Sequence, residues 1–239
     1  MRSDTSSKGN QAPSLGEGWG GCLSQTLLSS AYFAPIQWYQ KLNRYDKVTV
    51  EAYDSFIKQT YRNRCIIATT AGVQALTVPV ERGADGLTTD GAQPSGKCLM
   101  KDVRISDHGN WRHLHWNALQ SAYGESPFFE FYADDVRPFF ERRWKYLYDF
   151  NAEICAKMCE LIGLSPCVRP SEEYLPADDG RLTGVADLRD AIRPKHPLPD
   201  PLFAPRRYYQ VYEAKHGFLP NLSILDLLFN MGPESLLYL

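Results

Sequence analysis

Hydrophobic positions near the start of the chain predict a strand, a helix and a second strand. The apolar run at 27–33 is typical of a buried strand, and Pro35 just after it can open a helix. Apolar side chains then recur at near-helical spacing over 36–45, and residues 47–51 alternate with β-branched side chains, which favours a strand. We expect the two strands to pair in parallel through a right-handed crossover. This topology would place the loop at 32–35 at the carboxyl edge of the sheet, where open α/β sheets bind ligands.

The rest of the chain is predicted to add a hairpin and a helical section. Two β-rich segments, 65–70 and 74–80, flank Gly72, which can adopt the backbone angles of a tight turn. Further predicted elements are a loop at 82–96, strands at 99–105 and 208–211, helices at 111–123, 128–140, 144–163 and 222–231, and an extended proline-rich loop at 194–205. Together they predict an α/β fold with a mixed, partly parallel sheet of Rossmann-like character and a helical middle section.

Residues 1–26 differ in composition from the rest. They are rich in Gly and Ser and poor in aliphatic side chains, which predicts a disordered tail before a single globular domain at 27–239. This segment lacks the apolar core of a secretory signal, so a cytoplasmic location is expected. No apolar run approaches the roughly 18 to 20 residues that span a bilayer, so no membrane span is predicted.

The overall charge and the cysteines narrow the function classes. A net charge of -2 supplies no broad basic surface, so nucleic acid is not an expected partner. The six cysteines show neither a CxxC pair nor zinc-ligand spacing, and buried free thiols are expected. The Walker phosphate-binding loop, the GxSxG nucleophile motif and the HExxH metal motif are absent from the sequence.

The densest group of polar and aromatic side chains lies at 101–105 and 111–116. On a strand, Asp102 and Arg104 would share one face and could bind a polar ligand together, or simply form a surface ion pair. On a helix, His113 and His115 would point about 200° apart, so at most one of them is expected to act as a general base. A structural role is the alternative for a lone histidine.

A second polar group precedes the predicted hairpin. Arg62, Asn63 and Arg64 follow one another, and arginine side chains suit phosphate or carboxylate groups. The alternative is a solvated entrance to the strand.

A set of motifs in a fixed order resembles the WbqC-like proteins. The set comprises Tyr32-Phe33-Ala34-Pro35 with Tyr39, Asn63-Arg64, Leu76-Thr77-Val78-Pro79-Val80, Lys101-Asp102-Val103-Arg104-Ile105, Trp111 with His115, Ser121-Ala122-Tyr123, Ser126-Pro127-Phe128-Phe129, Asn151 and Ser171-Glu172-Glu173-Tyr174. No single motif is specific to the family, but their order is.

This resemblance implies a function. The family is associated with bacterial surface polysaccharide (O-antigen) gene clusters, and a glycine-transferring activity has been suggested for some members. The resemblance therefore implies a transferase that acts on an activated sugar, such as a nucleotide sugar, or on a surface-glycan precursor, with aminoacyl (glycyl) transfer as its reaction. In this hypothesis His115 and Asp102 are catalytic. The expected substrate-binding residues are Tyr32, Pro35, Tyr39, Asn63, Arg64, Lys101, Arg104, Trp111, His113 and Tyr123.

Two alternatives remain at this point. The protein could be a non-catalytic ligand- or partner-binding component of a glycan-assembly system, with its aromatic residues forming the binding surface. A metal hydrolase using Asp102, His113 and His115 is the other alternative. The sequence names no cofactor and no metal site, and it leaves the oligomeric state open.

Overall fold

A computed structural model describes residues 23–81 and 98–239. The predictions for residues 1–22 and for the loop at 82–96 lie outside these ranges. The strands are β1 (Leu23–Ser29), β2 (Tyr45–Glu51), β3 (Arg64–Thr69), β4 (Gly72–Thr77), β5 (Val168–Pro170) and β6 (Ala186–Asp187). The α-helices are α1 (Ile36–Arg44), α2 (Trp111–Tyr123), α3 (Phe129–Val136), α4 (Pro138–Glu141), α5 (Leu147–Ile162), α6 (Glu213–His216) and α7 (Ile224–Met231).

A parallel sheet with the strand order β5-β2-β1-β6 forms the centre of the fold. Leu28 pairs with Val50, and Thr26 pairs with Ala186. The predicted parallel pairing of the first two strands is therefore confirmed, as is the α/β class. In the described chain, the connection from β5 to β6 contains a short 3-10 turn at Gly180–Leu182 and no α-helix, which departs from a regular doubly wound sheet.

The first strand begins and ends earlier than predicted. The strand was expected at 27–33, but β1 ends at Ser29, and the chain then bends into the core. Tyr32 and Phe33 are fully buried, and Phe33 has a φ of 38°, which is incompatible with a strand. The apolar character of this run therefore reflects burial among helices as well as burial in the sheet.

The strand predicted at 99–105 is wrong. This segment forms a 3-10 turn, Met100–Asp102, between isolated bridges that join Leu99 to Ser55 and Ile105 to Val80. Each bridge contacts a different part of the fold, so no single neighbour pairs with the segment over its length. Its charged residues still alternate with apolar ones, which explains the mistaken prediction.

The hairpin and the helical middle section are confirmed. β3 and β4 pair antiparallel around a two-residue turn, and Gly72 has a φ of 110°. The predicted helix at 128–140 is split into α3 and α4 next to Pro138, which lacks a backbone N–H. Residues 208–211 form no strand in the described chain.

The C-terminal part packs onto the core through a buried helix and a buried ion pair. All residues from Ile224 to Asn230 in α7 are buried. Residues 194–205 contain neither helix nor strand, and Asp200 in this segment pairs with the buried Lys41 of α1 at 2.7 Å. Among the described residues, no helix is both long enough and apolar enough to cross a bilayer.

Candidate functional site

At the carboxyl edge of the parallel sheet, the loops diverge between β1 and β6, the two neighbouring strands at which the strand order reverses. The chain places β2 and then β5 on one side of β1, and later returns to place β6 on the other side. Loops after neighbouring strands diverge at such a reversal and leave a crevice, which is where open α/β sheets bind their ligands. The sequence analysis predicted this edge as the site.

A cluster of buried and half-buried charges occupies this edge. We call it the carboxyl-edge cluster, and it consists of Glu51, Asp54, Arg62, Asp187 and Arg189. Arg189 donates to Glu51 at 3.0 Å and to Asp187 at 2.6 Å. Arg62 forms an ion pair with Asp54 and donates to Ser29 Oγ at 3.0 Å. Charges are rarely buried without a partner, and here each is paired with an opposite charge.

Local chain geometry explains why these residues meet. Glu51 is the last residue of β2, and its Oε1 accepts hydrogen bonds from Ser171 Oγ at 2.7 Å and from the backbone N–H of Tyr53 at 2.9 Å. Asp187 is the last residue of β6, and its Oδ1 accepts from both the backbone N–H and Nε of Arg189. The carboxylates at two strand ends thus fix one arginine between them.

The carboxyl-edge cluster borders a cleft of about 530 Å³, to which Asp54, Arg62, Asp187 and Arg189 all contribute. The remaining lining residues are Tyr53, Ser55, Ile57, Leu99, Tyr174, Ala177, Asp190 and Arg193. This volume lies within the range of small-molecule sites.

Two buried atoms of the cluster have no hydrogen-bond partner in the described parts of the chain. They are Oδ1 of Asp54 and Nε of Arg62, whose residues are 7% and 3% exposed. An unsatisfied buried polar atom costs roughly 1–3 kcal/mol, so it is rare unless something else can bind there. Two of the side chains that line the cleft therefore each keep one polar atom unused within the described chain.

Burial raises the pKa of the Asp54 carboxyl above its usual value, although the charge of Arg62 and its hydrogen bond act in the opposite direction. A carboxylate whose pKa is raised toward neutrality is a better proton acceptor than a fully solvated one. Asp54 thus has the burial, the unused oxygen and the pKa direction of a general base.

The predicted residue His115 lies in a different environment. Its Nδ1 is 3.0 Å from the Tyr32 hydroxyl, and its ring packs edge-on against Trp111 with centroids 5.1 Å apart. Burial lowers the pKa of His115 to about 4, and a hydrogen bond with the Thr77 backbone acts in the opposite direction. His115 is therefore a neutral side chain within an aromatic cluster, and it is not among the residues that line the cleft.

The other predicted catalytic residue, Asp102, is at the surface. Its side chain is 52% exposed and pairs with Lys101 at 2.9 Å. Arg104 is also exposed, with its guanidinium 5.8 Å from the ring centroid of Tyr146. The structure brings Tyr32, Trp111 and His115 together, but it does not bring Asp102 or Arg104 to them. Only the start of this segment reaches the cleft, through Leu99.

The remaining predicted residues are spread over the fold. Pro35 and Tyr39 are buried at the start of α1. Asn63 Nδ2 donates to the Val78 carbonyl, and Arg64 Nε donates to Thr77 Oγ1. His113 is exposed on α2 beside Asn117, and the buried Tyr123 hydroxyl donates to Asp226 at 2.8 Å. In the described ranges, no group of three or more His, Cys, Asp or Glu residues could hold a metal ion.

The sequence singled out the segment that contains Arg62, but not the other residues of the carboxyl-edge cluster. Arg62 directly precedes the predicted Asn63 and Arg64, and only the burial of its side chain distinguishes it. Glu51, at the end of an alternating strand, was the available signal for the edge. Nothing in the sequence pointed to Asp187 and Arg189, because β6 is two residues long.

The fold and cleft define an α/β protein with a cleft of small-molecule size at the carboxyl edge of a parallel sheet. The sequence model of the WbqC-like protein family matches residues 30–198, and the chain belongs to that family. The matched range includes every residue of the carboxyl-edge cluster.

A relative supports this assignment. The chain is 28% identical over 232 residues to the uncharacterised protein Rv1507c of Mycobacterium tuberculosis, with 87% of this chain and 91% of the relative covered. No solved structure matches the chain significantly.

Proposed function

We propose that this protein is a transferase that acts on an activated sugar or surface-glycan precursor, and that it transfers an aminoacyl group, such as glycyl, in the carboxyl-edge cleft. The observation that carries this proposal is the pair of buried side chains, Asp54 and Arg62, which line a cleft at the strand-order reversal and each keep one polar atom, Oδ1 and Nε, without a partner among the described residues. Membership of the WbqC-like family supports the class of substrate.

The chemistry of the cleft suits acyl transfer. An amine or hydroxyl of the acceptor attacks the carbonyl carbon of the activated aminoacyl donor, forming a new C–N or C–O bond, while the bond to the leaving group breaks. The proton of the attacking group passes to Asp54, and the leaving group departs with its electron pair. Arg62 and Arg193 stabilise negative charge on the leaving group, and each has an Nε without a partner among the described residues.

Asp54 takes the role of general base in this proposal, instead of the His115 expected from the sequence. Asp54 lines the cleft, whereas His115 lies outside it and forms a hydrogen bond with the Tyr32 hydroxyl. The Asp187 and Asp190 carboxylates border the same cleft and suit the ammonium group of an aminoacyl donor.

A thermal-shift screen of the full-length protein tests the proposal. The panel contains nucleotide sugars, ATP, amino acids and acyl carriers, because a ligand of the folded state raises the melting temperature. We expect a nucleotide sugar or an aminoacyl compound to raise it, and turnover of that ligand to fall by about 10²–10⁴-fold in Asp54→Asn.

Asp134→Asn is the matched control, since Asp134 is exposed on α3 and does not line the cleft. Equal turnover in Asp54→Asn and Asp134→Asn would contradict the catalytic role of the cleft. If the ligand binds but is recovered unchanged with every acceptor, the non-catalytic binding protein becomes the better description.

A further inference from the structure

A second cavity lies between α5 and the parallel sheet. It has a volume of about 670 Å³. Four small side chains of α5, Ala152, Cys155, Ala156 and Cys159, leave this space open. The opposite walls are mainly apolar and include Trp38, Val50 and Val168, and Tyr148 of α5 adds an aromatic ring. Small residues on a helix do not by themselves define a site, but the polar groups of this cavity do.

Asn151 is the polar side chain that distinguishes the cavity. It is 2% exposed, and its Nδ2 donates to Ser30 Oγ at 3.0 Å and to the Arg62 carbonyl at 2.8 Å. A carbonyl can only accept, so the Arg62 contact fixes which amide atom is the nitrogen. The Oδ1 atom then has no partner in the described part of the chain.

Ser30 complements this unused acceptor. Its oxygen accepts the bond from Asn151, so its own hydroxyl hydrogen can donate. Both side chains line the cavity, and in the described chain an acceptor of Asn151 and the donor of the neighbouring Ser30 are left unused beside its apolar walls. A ligand that matches them must be largely apolar and must carry an N–H donor beside an oxygen or nitrogen acceptor.

We propose that this cavity binds the planar base of a nucleoside. A nucleobase combines a flat apolar face with adjacent donor and acceptor atoms on one edge, and the aromatic walls of Trp38 and Tyr148 suit its ring. The base N–H donates to Asn151 Oδ1, and the neighbouring base acceptor receives the Ser30 hydroxyl. A single acetamido group carries the same donor and acceptor but fills little of the volume.

The position of Arg62 connects this cavity with the cleft. Its carbonyl holds Asn151 in the cavity wall, while its guanidinium group lines the cleft. The base of a nucleotide-activated substrate then binds on one side of Arg62 and its reacting end binds on the other, an arrangement that rests on the proposed function.

Pairs of nucleosides provide the test. Binding of uridine is compared with 3-methyluridine, and adenosine with N6,N6-dimethyladenosine, by calorimetry on the full chain. For the nucleoside that binds, methylation of the N–H donor of its base should weaken its affinity for the protein at least tenfold. Equal affinity within a pair, no nucleoside binding at millimolar concentration, or binding of N-acetylglucosamine alone would each overturn the proposal.

A variant that keeps the Asn151 hydrogen bonds locates the site. Ala156→Phe places a ring in the cavity mouth and should weaken nucleoside binding at least tenfold, whereas Ala214→Phe, an exposed position on α6, should not. Unchanged binding in Ala156→Phe would overturn the assignment. Nucleoside binding is measured without an aminoacyl donor or acceptor, so it can fail while the turnover test of the cleft succeeds, and the reverse, and the two failures are distinguished.

Discussion

Two regions of the molecule bury charge in opposite ways. In the carboxyl-edge cluster, carboxylates pair with arginines beside a cleft. Around Asp226 of α7, by contrast, a completely buried carboxyl is surrounded by neutral donors. Its Oδ2 accepts from Tyr123 at 2.8 Å, and its Oδ1 accepts from Tyr208 at 2.6 Å and Gln210 at 3.3 Å.

The difference separates a structural role from a functional one. Both oxygens of Asp226 have donors, and the Tyr123 hydroxyl also accepts from the Ala68 backbone, so this group joins α2, β3 and α7. In the carboxyl-edge cluster, Asp54 and Arg62 keep one atom each without a partner and border an open cleft. A saturated polar network stabilises the fold, whereas an unsaturated one beside a cleft leaves binding capacity for a ligand.

The largest expected effect comes from removing the saturated group. Asp226→Ala leaves the hydroxyl hydrogens of two buried tyrosines, Tyr123 and Tyr208, without their acceptor. The free energy of unfolding should fall by roughly 2–6 kcal/mol, at about 1–3 kcal/mol for each unsatisfied group. Urea denaturation measures the loss, and Asp134→Ala should change stability by less than about 0.5 kcal/mol. A loss below 1 kcal/mol would show that the Asp226 network is not structural.

The pH dependence of stability should reveal the same carboxyl. Burial raises the pKa of Asp226 to about 6, above its usual 3.8, so the folded state binds the proton more tightly. The stability that this group contributes is fully present below about pH 4 and is lost as pH rises through 6. The loss is roughly 3 kcal/mol in total, from about 1.4 kcal/mol for each pKa unit.

Asp226→Asn isolates this contribution. The stability of the wild type minus that of the variant should decrease between pH 4 and 6, as measured by urea denaturation at each pH. A difference that stays constant across this window would place the Asp226 pKa near its ordinary value and would weaken the comparison.

The sequence could predict the frame of the site but not its chemistry. The apolar run before Pro35 and the alternation at 47–51 are local signals, and they correctly predicted the parallel β1–β2 pair and its carboxyl edge. The partners of Arg62 and Arg189 depend on which side chains are buried where distant segments meet. Arg189 lies 138 residues from Glu51, and no local pattern encodes that contact. The charged side chains of Lys101 and Asp102 in the motif at 101–105 lie at the surface, a placement that the sequence pattern does not reveal.

The smallest expected effect concerns His115, where the sequence and the structure point to different roles. His115→Gln keeps a group that can bond the Tyr32 hydroxyl but loses ring packing, so stability should fall by about 1–2 kcal/mol. Burial lowers the pKa of His115 to about 4, so the stability it contributes is present above pH 6.5 and is lost as pH falls through 4. This slope is opposite in sign to that of Asp226, and the variant should therefore steepen the decline in stability between pH 4 and 6.

Turnover of the ligand found in the screen should stay within about threefold of the wild type, because His115 does not line the cleft. A hundredfold loss of turnover in folded His115→Gln protein would instead return the role of general base to His115 and leave Asp54 as part of the structural ion network.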